Sequence, residues 1–327
     1  MNRNISHLPH TEADPQALLL QGLLQARAYP HEVGDVELIE THISTVLLAG
    51  KFAYKIKKPV NLGFLDFSSL PLRRYYCEEE LRLNRRLAPR VYLDVVSILG
   101  SADAPRIGPH DAPEAIEYAV KMQRFEQSAL LDRMLGSGEL TPQHLDALAA
   151  SVAAFHSGIG RSVAGGAADA GYGTPASIEA PMLQNFEQIR PLLDNDEERA
   201  ALARLEEWSR AAHAELSPLM EERRRAGYVR ECHGDLHLGN ITWIDGEIQV
   251  FDCIEFNPAL RWIDVASEIA FTVMDLAARG KPAWGARFLN ATLEITGDYA
   301  VLRLFKYYLV YRAMVRAKVA RIRAAQT

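Results

Sequence analysis

The period of the hydrophobic positions changes once along the chain. After a short apolar stretch that fits a helix (ALLLQGLLQA), the segments VELIET, STVLLAG and KFAYKIKK read as successive strands, with Gly50 and Lys51 at a tight turn between the last two. An antiparallel start is predicted. In KFAYKIKK, alternation places Phe52, Tyr54 and Ile56 on one face and Ala53, Lys55 and Lys57 on the other. YYCEEELRLNRRLAP carries Leu81, Leu83 and Leu87 among charges and reads as a helix stopped by Pro89. VYLDVVSIL and IEYAVKMQRF read as further strands, separated by a polar, proline-containing loop. The first lobe then ends near Gln123, which divides the chain into 1–123 and 124–327.

Beyond that point the pattern is helical. ALLDRML is followed by TPQHLDALAASVAAFHSGI, where Thr141 is placed to cap and Pro142 to open a helix. GRSVAGGAADAGYG reads as a mobile surface loop; two helical stretches reach Arg225, and a helical tail runs to Arg323. Between them Asp245-Gly246 separates NITWI from EIQVFD, a strong hairpin signal. A two-residue turn there pairs Ile244 with Glu247 and brings Asn240 opposite Phe251, next to Asp252. Strict register puts the Asn240 and Asp252 side chains on opposite faces. A ligand shared by the two requires that Asp252 leave the ladder or that the turn be longer.

Composition narrows the class. At 327 residues the chain exceeds what one core usually serves, which favours two lobes sharing a cleft, as in many enzymes. Apolar residues make up 48% and charged residues 24%, and 36 basic against 42 acidic side chains leave a net charge of −6, so a general nucleic-acid binder is not indicated. Cys77, Cys232 and Cys253 lack CxxC pairing and read as reduced thiols. MNRNISHLPH lacks a signal-peptide pattern and no apolar run approaches the ~20 residues of a membrane span, which predicts a cytoplasmic protein without membrane association. No GxxxxGK[ST] occurs, which excludes a Walker-type nucleotide site.

The chemistry concentrates in HGDLHLGN, His233 to Asn240, and in Asp252 of VFDC. A carboxylate and a neutral amide oxygen are hard donors that suit Mg²⁺, which completes its shell with water and phosphate oxygens. Asp235 stands five residues before Asn240, the spacing of the kinase catalytic loop H-R-D-x-x-x-x-N, in which the aspartate accepts the substrate proton and the asparagine holds a metal. Gly234 replaces the arginine, and His237 stands where protein kinases carry lysine.

HGDLHLGN, FDC and the later WIDVA resemble the aminoglycoside phosphotransferase and choline kinase group of small-molecule kinases. More narrowly, ETHIS, FAYKIKKPVNLGFLDFS, EEELRLNRRLAP and FDCIEFN resemble a bacterial branch called aminoglycoside phosphotransferase family enzymes, sometimes joined to a P-loop kinase domain. The resemblance implies an α+β, bilobal protein-kinase-like fold with an antiparallel-sheet N-lobe and a mainly helical C-lobe. It implies a phosphotransferase that uses ATP or GTP with Mg²⁺ and acts on a hydroxyl of a small molecule, with Asp235 as base and Asn240 and Asp252 on the metal. Ala53-x-Lys55 mirrors the A-x-K of the kinase third strand, and Glu80 begins the interval to Leu87 seen in the following helix of that family. Lys55 with Glu80 is the expected pair on the nucleotide side, with Lys57 and Glu79 as alternatives. The phosphate-covering turn between VELIET and STVLLAG holds no glycine, which leaves Thr41, Ser44 and backbone N–H groups for the phosphates.

Other readings run beside these. A protein or peptide hydroxyl is an alternative acceptor, and a catalytically silent nucleotide-binding module an alternative function; a metallophosphoesterase would need, beyond the GDLH segment, an extra Asp-x-His and a Gly-Asn-His element, and neither is found. His233 is expected to pack and hydrogen-bond the loop. His237 is either a cation near the transferred phosphoryl group or a neutral surface histidine. Asp264 is expected to cap a helix and His156 to end one, and Arg312, Arg316, Lys318, Arg321 and Arg323 read as a solvated helix face. On a helix after Trp262, Asp264, Glu268 and Asp275 share a face, with Glu255 upstream. An exposed acidic face there would favour a cationic or polyhydroxylated acceptor; alternatively Asp264 and Glu268 complement the helix amino terminus.

Overall fold

The computed structural model describes residues 15–63, 65–162 and 171–324. The expected surface loop at 160–173 falls mostly outside these residues. The chain forms two compact units: one takes in the chain up to Leu81 together with Tyr92–Arg124, the other Arg82–Val91 and everything from Phe125 onward. Arg82–Val91 packs with the second unit because Leu87 enters its core, while Arg86 bonds to the Glu231 side chain at 3.0 Å and Asn84 to the Cys253 backbone at 2.9 Å.

The first unit opens with α1 (Pro15–Leu23), then β1 (Val36–Glu40), β2 (Ser44–Ala49), β3 (Phe52–Lys57), α2 (Leu70–Asn84), β4 (Tyr92–Ser101), β5 (Ala104–Gly108) and β6 (Glu117–Gln123). The strands form one antiparallel sheet ordered β1-β2-β3-β6-β4-β5. Alternation along β3 explains its two-sided burial. Tyr54 and Ile56 pack with Leu19 and Leu23 of α1, and Lys55 and Lys57 reach Glu80 of α2 on the opposite face. Each fully buried leucine contributes about 1.5–3 kcal/mol relative to an exposed one, so α1 is a structural lid on the sheet.

Three boundaries differ from expectation. The loop after VYLDVVSIL contains β5, where Ser101 pairs with Ala104; Pro105 sits within this strand, tolerated because β5 is the sheet edge and a missing N–H costs no ladder bond there. α2 begins at Leu70, ahead of the YYC segment, and the Ser69 hydroxyl accepts from the Leu72 N–H (3.4 Å). It ends at Asn84, whose carbonyl accepts from Leu87 and Ala88, so the chain leaves the helix before Pro89.

The second unit comprises α3 (Leu131–Ser137), α4 (Pro142–Gly158), α5 (Pro175–Ile189), α6 (Asp196–Arg225), β7 (Val229–Glu231), β8 (Ile241–Ile244), β9 (Glu247–Val250), α7 (Pro258–Arg261), β10 (Trp262–Asp264), α8 (Val265–Ala278), α9 (Pro282–Thr296) and α10 (Leu302–Ala324). Thr141 and His144 form the capping box of α4 around Pro142. α8 is buried from Val265 to Leu276, so it has no solvent face over that stretch and packs against α9 and α10 within one core. Its buried polar residues must therefore find partners inside the protein. No helix among the described residues is long and apolar enough to cross a membrane.

Candidate active site

Asp245 (φ +51°) and Gly246 (φ +82°) close the expected two-residue turn, with Ile244 paired to Glu247. At the other end of the hairpin the Phe251 N–H donates to the Asn240 carbonyl (2.9 Å), so Asn240 stands opposite Phe251. Asp252 then leaves the ladder with φ +65°, in the left-handed region, which removes the objection that register raises. Neighbouring bonds impose that conformation. His233 Nε2 donates to the Phe251 carbonyl (2.9 Å), the Cys253 N–H donates to Asn84 Oδ1 (2.9 Å), and the Ile254 N–H donates to the His233 carbonyl (3.1 Å).

The loop between β7 and β8 is held from below by α8. Glu268, Thr272 and Asp275 lie at i, i+4 and i+7, one helical face. Glu268 accepts from the His233 N–H (2.7 Å), the Thr272 hydroxyl donates to the Leu236 carbonyl (2.8 Å), and Asp275 accepts from the Leu238 N–H (3.0 Å). The loop is in effect cast on this face. The exposed acidic face is thereby corrected: Glu268 and Asp275 are buried and hold the loop, Glu255 is buried, and Asp264 caps α8 at the Ala266 N–H while paired with Arg223. Asp264 has the expected capping role. Buried Arg223 also pairs with Asp298, so two carboxylates share its charge.

Within the loop, His233 is buried and neutral. Burial pushes its pKa down, its Nδ1 accepts from the Asp235 N–H (3.3 Å), and Nε2 carries the proton. It is the packing and hydrogen-bonding histidine expected. Asp235 keeps about a third of its side chain exposed (33%). The Asn240 amide nitrogen donates to both Asp235 Oδ2 and the Asp235 carbonyl, each at 3.0 Å, and His237 Nε2 lies 3.4 Å from Oδ2. Burial works against ionisation of Asp235, but the hydrogen bond from His237 and the nearby Arg312 guanidinium outweigh it and hold the carboxyl below its ordinary range. His237 Nδ1 accepts from the Gly239 N–H (3.1 Å), so its proton sits on Nε2, facing Asp235. Its ring stands edge-on to Phe271.

The structure brings Asp235, His237 and Asn240 into contact and sets Asp252 one residue beyond the Asn240–Phe251 bond. With its amide nitrogen committed to Asp235, Asn240 has Oδ1 as its remaining donor. That oxygen and the Asp252 carboxylate are a hard-donor set that fits Mg²⁺.

In the first unit both lysines meet one glutamate. Lys55 Nζ is 2.8 Å from Glu80 Oε1 and Lys57 Nζ is 2.7 Å from Oε2. The choice between Lys55 and Lys57 as the partner of Glu80 therefore dissolves. Glu80 is fully buried; burial alone would raise its pKa, but the two ammonium groups outweigh that and lower it to about 2. Lys57 is 1% exposed and also sits 4.8 Å above the Phe67 ring, whereas 13% of the Lys55 side chain is exposed. At the turn between β1 and β2 the Thr41 and Ser44 hydroxyls bond each other (2.9 Å), and the Ser44 N–H donates to Thr41 Oγ1. That N–H is thus already used within the turn.

Arg312 departs furthest from its sequence reading. It is 5% exposed, not solvated, and its Nη1 donates to the Gly234 carbonyl at 3.1 Å. A charged residue in a basic helical run carries no mark of burial. The spacing of Glu268, Thr272 and Asp275 is a readable signal for the loop contacts, although Thr272 carries no charge to mark it.

Comparison with known proteins adds an independent line. A sequence model of the phosphotransferase enzyme family matches residues 71–305. Uncharacterized proteins of Mycobacterium tuberculosis and Mycobacterium bovis are 31% identical over 299 residues, covering 90% of this chain and 57% of their own length, so the chain spans little more than half of these relatives. Among solved structures, a choline/ethanolamine kinase family protein from Mesorhizobium loti aligns at TM-score 0.51 and 12% identity, over 90% of this chain and 80% of that one. A glucosamine kinase in complex with glucosamine, ADP and inorganic phosphate aligns at 0.48 and 16%, over 94% and 78%. An ADP-bound aminoglycoside phosphotransferase aligns at 0.48 and 14%, over 88% and 86%. At 12% identity the likeness to the Mesorhizobium loti protein concerns the fold, which is the kinase-like α+β architecture implied by the motifs.

Proposed function

The chain belongs to the phosphotransferase enzyme family, and from that premise we propose that it transfers the γ-phosphoryl group of ATP or GTP to a hydroxyl of a small molecule. The observation that carries this reading is the bond from the Asn240 amide to Asp235, beside an Asp252 turned out of its strand. In this reading one proton acceptor and two oxygen donors belong to the loop and the mouth of a single hairpin.

In this mechanism Asp235, ionised at neutral pH, accepts the proton of the acceptor hydroxyl as that oxygen bonds to the γ-phosphorus. The bond from the γ-phosphorus to the bridging oxygen breaks, and the nucleoside diphosphate leaves with the electron pair. His237 donates to Asp235 Oδ2 and Asn240 donates to the same oxygen, so the carboxylate is oriented from two sides and Oδ1 is the atom left to face the acceptor. Asn240 Oδ1 and Asp252 would hold Mg²⁺, which supplies charge neutralisation on the phosphate oxygens when bound. Lys55 serves the nucleotide phosphates. Lys57 neutralises Glu80 from the buried side, so that Lys55 retains charge for the ligand after pairing.

The test is a screen of nucleotide consumption by the full chain with Mg-ATP and Mg-GTP against pooled small-molecule alcohols, run beside thermal unfolding with the same nucleotides. A shift in unfolding temperature with turnover on a subset of alcohols is expected. No shift with either nucleotide at millimolar concentration would remove the basis of the proposal.

A further inference from the structure

We propose that Arg312 is a positioning residue for phosphoryl transfer, holding the peptide unit that carries Asp235; this rests on the functional reading above. Two buried arginines differ in their partners. Arg223 sits between Asp264 and Asp298, the arrangement expected when a guanidinium is buried for structure. Arg312 is as deeply buried, but among the described residues it forms no ion pair. Its Nε donates to the Ser267 carbonyl (3.2 Å) and hydroxyl (3.1 Å), its Nη1 to the Gly234 carbonyl (3.1 Å), and its guanidinium lies 4.9 Å from the Phe271 ring centre. Its hydrogen-bond partners are neutral, and a charge buried on such partners costs stability; the charge that answers it is the Asp235 carboxylate, whose ionisation the guanidinium favours.

Gly234 has φ +89°, and a Cβ there would meet the Leu260 carbonyl oxygen at 2.8 Å and Ile254 Cδ1 at 3.1 Å. Glycine is therefore required immediately before Asp235. It is also the residue with the softest torsions, so nothing of its own holds the next peptide in place. That peptide is fixed from outside on both edges: its carbonyl accepts from Arg312, and its N–H, belonging to Asp235, donates to His233 Nδ1. Rotation of this unit would swing the Asp235 side chain away from Asn240. A second route runs through Phe271, whose ring neighbours both the Arg312 guanidinium and the His237 ring, itself against Asp235. α10 thus reaches the reacting carboxylate through its backbone and through its neighbour.

The experiment measures nucleotide turnover by the full chain, with water as acceptor where no alcohol has been identified, for Arg312→Gln, Arg312→Lys and, on the same helix, Arg316→Gln. Arg312→Gln is expected to lower kcat by roughly 10- to 100-fold, the scale of a small misplacement of a reacting group, with the nucleotide KM and the Mg-ATP thermal shift nearly unchanged. Arg312→Lys, which keeps a donor and a charge, should fall between that variant and the unsubstituted chain, and Arg316→Gln should match the latter. If Arg312→Gln does not fold, the lysine variant suffices: reduced kcat at constant KM supports the inference, and unchanged kcat overturns it. Wild-type kcat in Arg312→Gln, or kcat lost only in step with nucleotide binding, also overturns it. Failure of the unsubstituted chain to bind or turn over nucleotide removes the functional reading, and this inference with it.

Discussion

The side-chain nitrogen of Asn240 is 3.0 Å from Oδ2 of Asp235, so the residue assigned to the metal also orients the residue assigned to the proton. In the proposed mechanism the two roles are mechanically joined, because Asp235 cannot rotate without releasing the Asn240 amide.

Replacing Asp235 by asparagine should therefore separate chemistry from binding. Turnover is expected to fall by ~10²- to 10⁴-fold, the usual scale for removal of a general base. The thermal shift given by Mg-ATP should persist; normal turnover in this variant would show that another group accepts the proton.

Asp252 offers a test with opposite signs for stability and metal dependence. Its left-handed backbone costs an ordinary residue about 1–2 kcal/mol, so Asp252→Gly should be more stable than Asp252→Ala by a comparable amount. Both should lose the Mg²⁺-dependent part of any nucleotide-induced shift. Equal stability of the two variants in urea unfolding would mean that the turn relaxes without the carboxylate.

The lysines should divide along their burial. Lys55→Met is expected to weaken nucleotide use strongly with a small loss of stability, because Lys57 still neutralises Glu80. Lys57→Met removes a partner and a ring contact from a fully buried site, and a cost of ~1–3 kcal/mol is expected, below that of an entirely unpaired buried charge. Nucleotide KM and urea midpoints measured on both variants check the division; a larger loss of nucleotide use in Lys57→Met would reverse it.

Acid sensitivity follows from Glu80. Its folded pKa, about 2, lies below the ordinary value of about 4.3 for the unfolded chain. Its contribution is present above the unfolded value and is lost as pH falls from there through the folded value. Glu80→Gln should therefore be less stable at neutral pH and show a flatter decline of unfolding free energy between about pH 4.3 and 2. Parallel pH profiles for the two proteins would contradict this origin.

Legibility from sequence tracked how local the determinant was. Asp245-Gly246 defined a hairpin whose register then located Asn240, Phe251 and Asp252, and strand alternation placed Lys55 and Lys57 on one face; both are nearest-neighbour properties of the chain. The edge strand bearing Pro105 was hidden because a proline is excluded from a sheet's interior but not from its rim, and position in the sheet is a tertiary fact. The contacts of Arg312 and Glu268 are tertiary facts of the same kind. A charge is assigned to solvent by default, and only the arrangement of α8 and α10 shows that these two face the HGDLHLGN loop.

The burial of α8 bears on protein engineering. HGDLHLGN has the look of a cassette, eight residues with a function. Yet its backbone is shaped by Glu268, Thr272 and Asp275 from one helix and by Arg312 from another. Transplanted into a foreign scaffold without those supports, the octapeptide would carry its letters and lose its shape; the smallest transferable unit is the loop together with the two helices that mould it.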